Sequence, residues 1–206
     1  MSNSLIPVFP LSTVVFPGHT LPLKLFESRY LELLKDCESA GRREFVIALI
    51  SSGYEVSDNA TPYRVGTLVQ YANFMKSDDL VFVSPVGVRR VYLDKFFREE
   101  KPYLCAQMLD YKDEDENLGS ANNGLDSIER KLSQMWISGG SVHSKEAYSK
   151  LLVKKSELSR ENYSLYLAGC LELPPMHKQN LLESRTEAYR VKNLLHLLTS
   201  KLKTEG

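Results

Sequence analysis

Four prolines fall within an otherwise apolar opening. The chain reads Ile6-Pro7-Val8-Phe9-Pro10-Leu11, then Val15-Phe16-Pro17-Gly18, then Leu21-Pro22-Leu23-Lys24-Leu25-Phe26-Glu27-Ser28-Arg29-Tyr30. Each proline fixes its own φ, removes a backbone donor and pushes the preceding residue toward extended geometry. No regular helix can run through Ile6–Leu23. The Ile, Val, Phe and Leu residues between the prolines favour burial. An apolar segment barred from helix reads as short strands parted by fixed turns. Gly18 after Pro17 supplies the backbone freedom that such a turn needs.

With 206 residues, 43% of them hydrophobic, the chain can bury a core without disulfide or metal staples. Its 26 basic and 26 acidic residues cancel. This weighs against nucleic-acid binding through a broad basic face, although a local patch could sit within a neutral total. Three cysteines, Cys37, Cys105 and Cys170, form no CxxC pair, and an odd count argues for a reducing compartment over a disulfide framework. His19, His143, His177 and His196 have no metal-ligand spacing, so neither metal nor cofactor is expected. Met1-Ser2-Asn3-Ser4 does not open a signal peptide and no run is long enough to span a membrane. The expectation is a cytoplasmic protein.

The periodicity changes along the chain. Up to Tyr111 it is mainly that of strands: Phe45–Ile50, Arg64–Tyr71, Leu80–Val83 after the turn Lys76-Ser77-Asp78-Asp79, Val86–Leu93 and Tyr103–Leu109. Within Arg64–Tyr71, the residues Val65, Thr67, Val69 and Tyr71 alternate onto one face. One helix is predicted from Ser28 to about Glu38, with Tyr30, Leu33, Leu34 and Cys37 on its apolar stripe and Gly41 as the stop. Asp113-Glu114-Asp115-Glu116, followed by Gly, Ser and Asn, reads as a linker over 113–124. Beyond it the period is helical. Leu125, Ile128, Leu132, Met135 and Trp136 form one stripe, which Gly139-Gly140 ends. Further helices are predicted over Lys145–Val153 and Ser159–Cys170, the latter ending before Pro174-Pro175. A last helix starts at Ser184, where Ser184-Arg185-Thr186-Glu187 has capping-box spacing. Its stripe of Ala188, Val191, Leu195, Leu198 and Leu202 suits a dimer seam or, being short, packing within its own bundle. A monomer or weak dimer is expected. The organisation is thus a β subdomain over 1–112, a linker over 113–124 and a helical subdomain over 125–206.

These residues resemble a known family. Pro7-Val8-Phe9-Pro10-Leu11, the Phe16-Pro17-Gly18 turn and Leu21-Pro22-Leu23 resemble the opening of the Lon protease N-terminal, substrate-binding domain. Leu25-Phe26-Glu27-Ser28-Arg29-Tyr30 is closer to the form in stand-alone bacterial Lon-domain proteins and in eukaryotic relatives such as cereblon. Arg64-Val65-Gly66-Thr67, Gly87-Val88-Arg89-Arg90, Tyr103-Leu104-Cys105-Ala106 and Lys178-Gln179-Asn180-Leu181-Leu182-Glu183 follow in the family's order, so the resemblance covers Ile6 to Leu202. It implies an α+β fold: an N-terminal, mostly antiparallel β pseudobarrel similar to PUA domains, with one helix, followed by a C-terminal α-helical bundle.

A Lon protease also carries an ATPase and a protease module. This sequence has no GxxxxGK[ST] run to cradle phosphate, no GxSxG elbow, and nothing that supports a serine-lysine pair. His19 reads as a loop histidine, Cys37 as packing, and the carboxylates Asp78, Asp79, Asp94, Glu99 and Glu100 as turn and surface charge. The resemblance therefore implies a non-catalytic module that recognises protein or peptide, such as unfolded or degron-bearing chains, or that serves a protease system. Its site is expected in a cleft where the two subdomains meet. Phe74, Met75, Phe96 and Phe97 are candidate apolar contacts; Arg89 and Arg90 are candidate polar ones, with a structural ion pair as the competing role of Arg90. The alternative is PUA-like RNA binding by a stripe of Arg89, Arg90, Lys95, Arg98 and Lys101, which the neutral charge disfavours.

Overall fold

Pro7 and Pro10 do not part the first strand: β1 runs through both, Leu5–Leu11. The pairing explains why. The first half of β1 runs antiparallel to β9 (Leu104–Asp110), with Leu5–Val8 opposite Leu104–Gln107. Its second half runs parallel to β3 (Glu44–Ser52), with Val8–Leu11 opposite Val46–Leu49. Among the described residues only Val8 is paired on both edges. Proline is tolerated in a sheet where an edge is unpaired. Residues three apart turn their backbone polar groups to opposite edges, so each ring can face the open side of its own half.

The computed structural model describes residues 5–55, 59–78, 80–98, 101–114, 122–138 and 143–204. The chain divides into two compact units, Met1–Lys112 with Leu173–Leu182, and Asp113–Glu172 with Glu183–Gly206. Most of the linker expected over 113–124 and the Gly139-Gly140 break lie outside the described residues.

In the first unit β8 (Val86–Phe97) and β5 (Val65–Gln70) complete the order β1-β9-β8-β5-β3, and the β1–β3 pairing closes it into a barrel. The short β4 (Thr61–Pro62) adds to β3. All five barrel strands contribute to one small-residue core of Ile6, Val8, Val46, Ala48, Leu68 and Leu104 with their neighbours, which fills the lumen. The alternate residues of β1, β3 and β5, including Phe9, Phe45, Ile47 and Val69, join a second, aromatic-rich core. Both faces of these strands are buried, which is why Phe45–Leu49 reads as a continuous apolar run rather than an alternation.

The second core is covered by α1 (Ser28–Ser39), through Tyr30, Leu33, Leu34 and Cys37 as its stripe predicts, and by a small sheet of β2 (Leu23–Leu25), β7 (Leu80–Val83) and β6 (Phe74–Ser77). The stop at Gly41 takes Schellman form: its φ is 64°, its N–H donates to Glu38 and that of Arg42 to Cys37. Pro17-Gly18 turns the chain as expected. Gly18 has φ 82°, the N–H of His19 donates to Phe16, and the Gly18 N–H donates to the carbonyl of Gly87 at 2.8 Å.

The sequence missed α5 (Pro175–Glu183). Pro174-Pro175 looks like a helix breaker, yet Pro175 occupies the first helical position, where its missing N–H costs nothing. Leu173–Leu182 groups with the barrel unit and not with the helical bundle to which the sequence assigned it. Gln179 is fully buried and donates to the carbonyl of Val65 at 3.0 Å.

The second unit contains α2 (Asn122–Ser138), α3 (His143–Glu157), α4 (Arg160–Gly169) and α6 (Glu187–Thr204). α4 is buried continuously from Tyr163 to Ala168, the mark of a central helix. The inner face of α6 carries Glu187, Arg190, Val191, Leu194 and Leu198, while Ala188 is exposed and Leu195 half-buried. The helix begins at Glu187, not Ser184, and the Glu187 carboxylate takes a guanidinium fork from Arg160 at 2.6–3.1 Å instead of closing a capping box. Arg190 is fully buried. It forks onto both oxygens of Asp113 and donates to Ser164 Oγ at 3.0 Å and to the Ser184 carbonyl at 2.9 Å. Among the described residues, no helix is long and apolar enough to cross a membrane.

Candidate functional site

A one-residue β-bulge in β8 sets up the principal cavity of the barrel unit. Leu93 pairs with Met108, but Phe96 pairs with Ala106 and Phe97 with Cys105, so one extra residue of β8 lies between them. The shift turns Phe96 onto the lumen core and leaves Phe97 pointing outward, 43% exposed. Arg64 supports the bulge: its guanidinium donates to the carbonyls of Leu93 and Asp94 and lies 5.8 Å from the centre of the Phe96 ring.

Phe96 and Phe97 line a cleft of about 820 Å³, within the range of small-molecule and peptide pockets. Leu5, Ile6 and Pro7 of β1 form another wall, with Tyr103 and Cys105 alongside. Leu5 is 44% exposed, so the cleft presents apolar surface to water. The end of α1 and the start of β3 supply the rim: Asp36, Arg42 and Glu44 there, with Arg98 and Lys101 from the β8–β9 connection.

The rim has one fixed polar centre. The Tyr103 hydroxyl donates to Asp36 Oδ2 at 2.5 Å and Lys101 Nζ approaches the same oxygen at 2.8 Å. Lys101 and then Tyr103 hold the Asp36 carboxyl below its usual range, and Asp36 in turn raises Lys101. Burial, and secondarily Asp36, pushes the Tyr103 phenol strongly up. The neighbouring Cys37 thiol donates to the Glu44 carbonyl, and burial pushes it up to about 11, which leaves it a protonated, poor nucleophile at neutral pH. Among the described residues no group of three or more His, Cys, Asp or Glu could hold a metal ion.

The other sequence candidates lie elsewhere. Phe74 is half-buried on β6, packed on the second core and lining a separate hollow of about 350 Å³ with Leu31 and Lys35 of α1. Met75, next along the strand, points out at 72% exposure. Arg89 pairs with Asp110 at 2.9 Å. Arg90 is 1% exposed, donates to the Leu182 carbonyl at 2.8 Å and sits over the Tyr111 ring, so it ties α5 to β8. Of the proposed basic stripe, Arg98 donates to the Ala60 carbonyl and Lys101 is held by Asp36, so with Arg89 and Arg90 four of its five cations have local partners. Leu5, Arg42, Tyr103 and Cys105 were not singled out as site residues. They come from separated stretches that only the fold brings together.

Known proteins match this architecture. The family model of the ATP-dependent protease La (LON) substrate-binding domain matches residues 5–200. The Lon protease of Flavobacterium johnsoniae is 25% identical over 181 residues, covering 86% of this chain. The chain spans only 22% of that relative's length. Two solved structures share the fold. A Lon N-terminal domain protein from Xanthomonas campestris has a TM-score of 0.63 at 22% identity, covering 94% of this chain and 98% of that one. The N-terminal domain of the Mycobacterium avium complex Lon protease has a TM-score of 0.69 at 14% identity, covering 95% and 98%. With the barrel, the helical bundle and a family match over nearly every residue, the chain belongs to the Lon substrate-binding domain family.

Proposed function

We propose that this chain is a non-catalytic recognition module that captures unfolded or degron-bearing protein segments, and that the cleft beside Phe97 is where it does so. The observation that carries this reading is the exposed apolar surface of Leu5 and Phe97 at the mouth of a cleft of about 820 Å³. Exposed apolar surface in a concave site favours association with partners that expose apolar groups of their own. The family membership supports the same class of activity, since the matched family is named for substrate binding. Delivery of captured chains to a protease is the corresponding wider role.

The test is binding of a permanently unfolded model protein, followed by fluorescence anisotropy. Phe97→Asp combined with Leu5→Asp places charge on exposed positions, so the fold is retained while the apolar surface is lost. Binding is expected to weaken at least about tenfold, the loss of roughly one buried aromatic contact. Wild-type protein that binds no unfolded chain, or a double variant that binds as well as wild type, overturns the assignment.

A further inference from the structure

The small sheet of the barrel unit ends in an open edge. Its order is β2-β7-β6, and among the described residues β6 pairs only with β7. Ser77 pairs with Leu80, so two residues link the strands, and Asp78 has the positive φ, 52°, that a two-residue hairpin turn calls for. In such a hairpin the pair flanking the turn exchanges backbone hydrogen bonds, and bonded and non-bonded pairs then alternate. Ser77 and Met75 therefore bond to β7, while Phe74 and Lys76 turn their N–H and C=O groups to the open edge. Side chains alternate as well, and with Met75 pointing out, Phe74 and Lys76 point in. Both line the hollow of about 350 Å³, together with Val81 of β7 and Leu31, Leu34 and Lys35 of α1. This hollow shares only Ser39 with the Phe97 cleft. Edge and hollow form one site: a strand laid beside β6 bonds to Phe74 and Lys76, and the side chains opposite those two residues fall on the hollow's face of the sheet.

The charges of the hollow select its occupant. Lys35 and Lys76 are exposed, and among the described residues no ion pair engages either ammonium; Lys76 lies 5.6 Å from the centre of the Phe74 ring. Of the acids that line the hollow, Glu38 is taken by Arg43 at 3.0 Å, and Asp78 belongs to the turn beyond the strand. An inward lysine on an edge strand discourages indiscriminate pairing. A second copy aligned along this edge would gather two Lys35 and two Lys76 on one face, so like charge opposes self-pairing. An extended segment that carries a carboxylate on that face meets the opposite sign.

We propose that the open edge of β6 takes an extended polypeptide segment as a fourth strand of the small sheet, with an apolar side chain opposite Phe74 and an Asp or Glu side chain opposite Lys76. Strand addition draws affinity from main-chain hydrogen bonds and selectivity from the pockets beside them. This surface is additional to the Phe97 cleft and does not depend on it.

The experiment uses the full chain, isotope-labelled for NMR, and a synthetic Thr- and Val-rich peptide with isoleucine and glutamate two positions apart. A control peptide has lysine in place of the glutamate. In the free protein the amides of Phe74 and Lys76 face the open edge, while those of Met75 and Ser77 are bonded to β7. Bound peptide should slow amide–water exchange at Phe74 and Lys76 about tenfold or more and change Met75 and Ser77 little. The glutamate peptide should bind at least about fivefold more tightly than the lysine peptide, and Lys76→Glu, a change at an exposed position, should reverse that order. Exchange at Phe74 and Lys76 that the bound peptide leaves unslowed overturns the added strand, and a preference unchanged by Lys76→Glu overturns the carboxylate contact. A peptide that instead slows alkylation of Cys105 by a small thiol reagent occupies the Phe97 cleft, so this surface is wrong while the recognition reading stands. Exchange at Phe74 and Lys76 that slows with protein concentration alone gives the edge to a second copy and overturns the proposal. So does a peptide that does not bind, and binding of unfolded protein at the cleft is then still judged by its own variant.

Discussion

Asp113 and Arg190 make the sharpest energetic prediction. Arg190 is fully buried, whereas the side chain of Asp113 keeps 19% of its exposure. Asp113→Ala leaves a guanidinium sealed from water with only Ser164 and the Ser184 carbonyl among the partners described above. Removing one partner of a buried pair costs about 3–5 kcal/mol, and the partial exposure of the site argues for about 3. Arg190→Met leaves a carboxylate that water can still reach. It also leaves Ser164, whose hydroxyl is separately satisfied by donating to the Glu161 carbonyl at 2.8 Å. Its cost should be about 1–2 kcal/mol. The double variant should resemble Arg190→Met and not the sum, because the two residues are in direct contact and the guanidinium that Asp113→Ala would strand is already gone. Urea unfolding followed by tryptophan fluorescence reads the correct unit, since the one tryptophan, Trp136, lies in α2. If Arg190→Met destabilises as much as Asp113→Ala, or if Asp113→Ala falls within about 0.5 kcal/mol of wild type, the pair is not the buried-cation clasp described here.

Two further perturbations follow from the barrel unit. A Cβ on Gly87 would stand 2.3 Å from the carbonyl oxygen of Phe16 and 2.9 Å from its carbon, both backbone atoms that cannot swing aside, so Gly87→Ala should cost more than about 2 kcal/mol by thermal unfolding. Asp36 is depressed below its ordinary 3.8, so its share of stability is present above that value and lost as pH falls through its lower folded value. Lys101 is raised above 10.5, so its share is present below that value and lost as pH rises through the higher folded value. Asp36→Asn should therefore be less stable than wild type at neutral pH, with the gap closing below about pH 3.8; a gap independent of pH would show that the carboxylate is not the group responsible.

The strands and α1 were legible because their signals are local. Phe45–Leu49 is buried on both sides, and Tyr30, Leu33, Leu34 and Cys37 share one helical face. α6 was legible as a helix, but its inner face was misread toward Leu195 and Ala188, since Glu187 and Arg190 look like surface residues until Arg160 and Asp113 are found opposite them. α5 was hidden by a proline pair whose second member starts the helix. Phe96 and Phe97 could be picked out as strand-end aromatics. Their opposite orientations depend on a bulge set by register with β9, which no local pattern encodes. The rest of the cleft comes from stretches near residues 5, 42 and 103, and the rim cation Arg42 has nothing in its own neighbourhood to mark it.

The return of α5 to the barrel unit bears on how the protein is made. Arg90 reaches its acceptor 92 residues downstream, and Val65 receives Gln179 across 114. During synthesis from the N-terminus, the barrel strands through β9 are complete by Asp110, but these closing bonds wait until residue 182 has left the ribosome. In that interval the closed barrel lacks the cover of α5 over β8 and β5. Arrested nascent chains ending shortly before α5 should be cleaved in β8 far faster than chains extended past it, so that translation speed across the helical segment sets how long the uncovered barrel stays vulnerable.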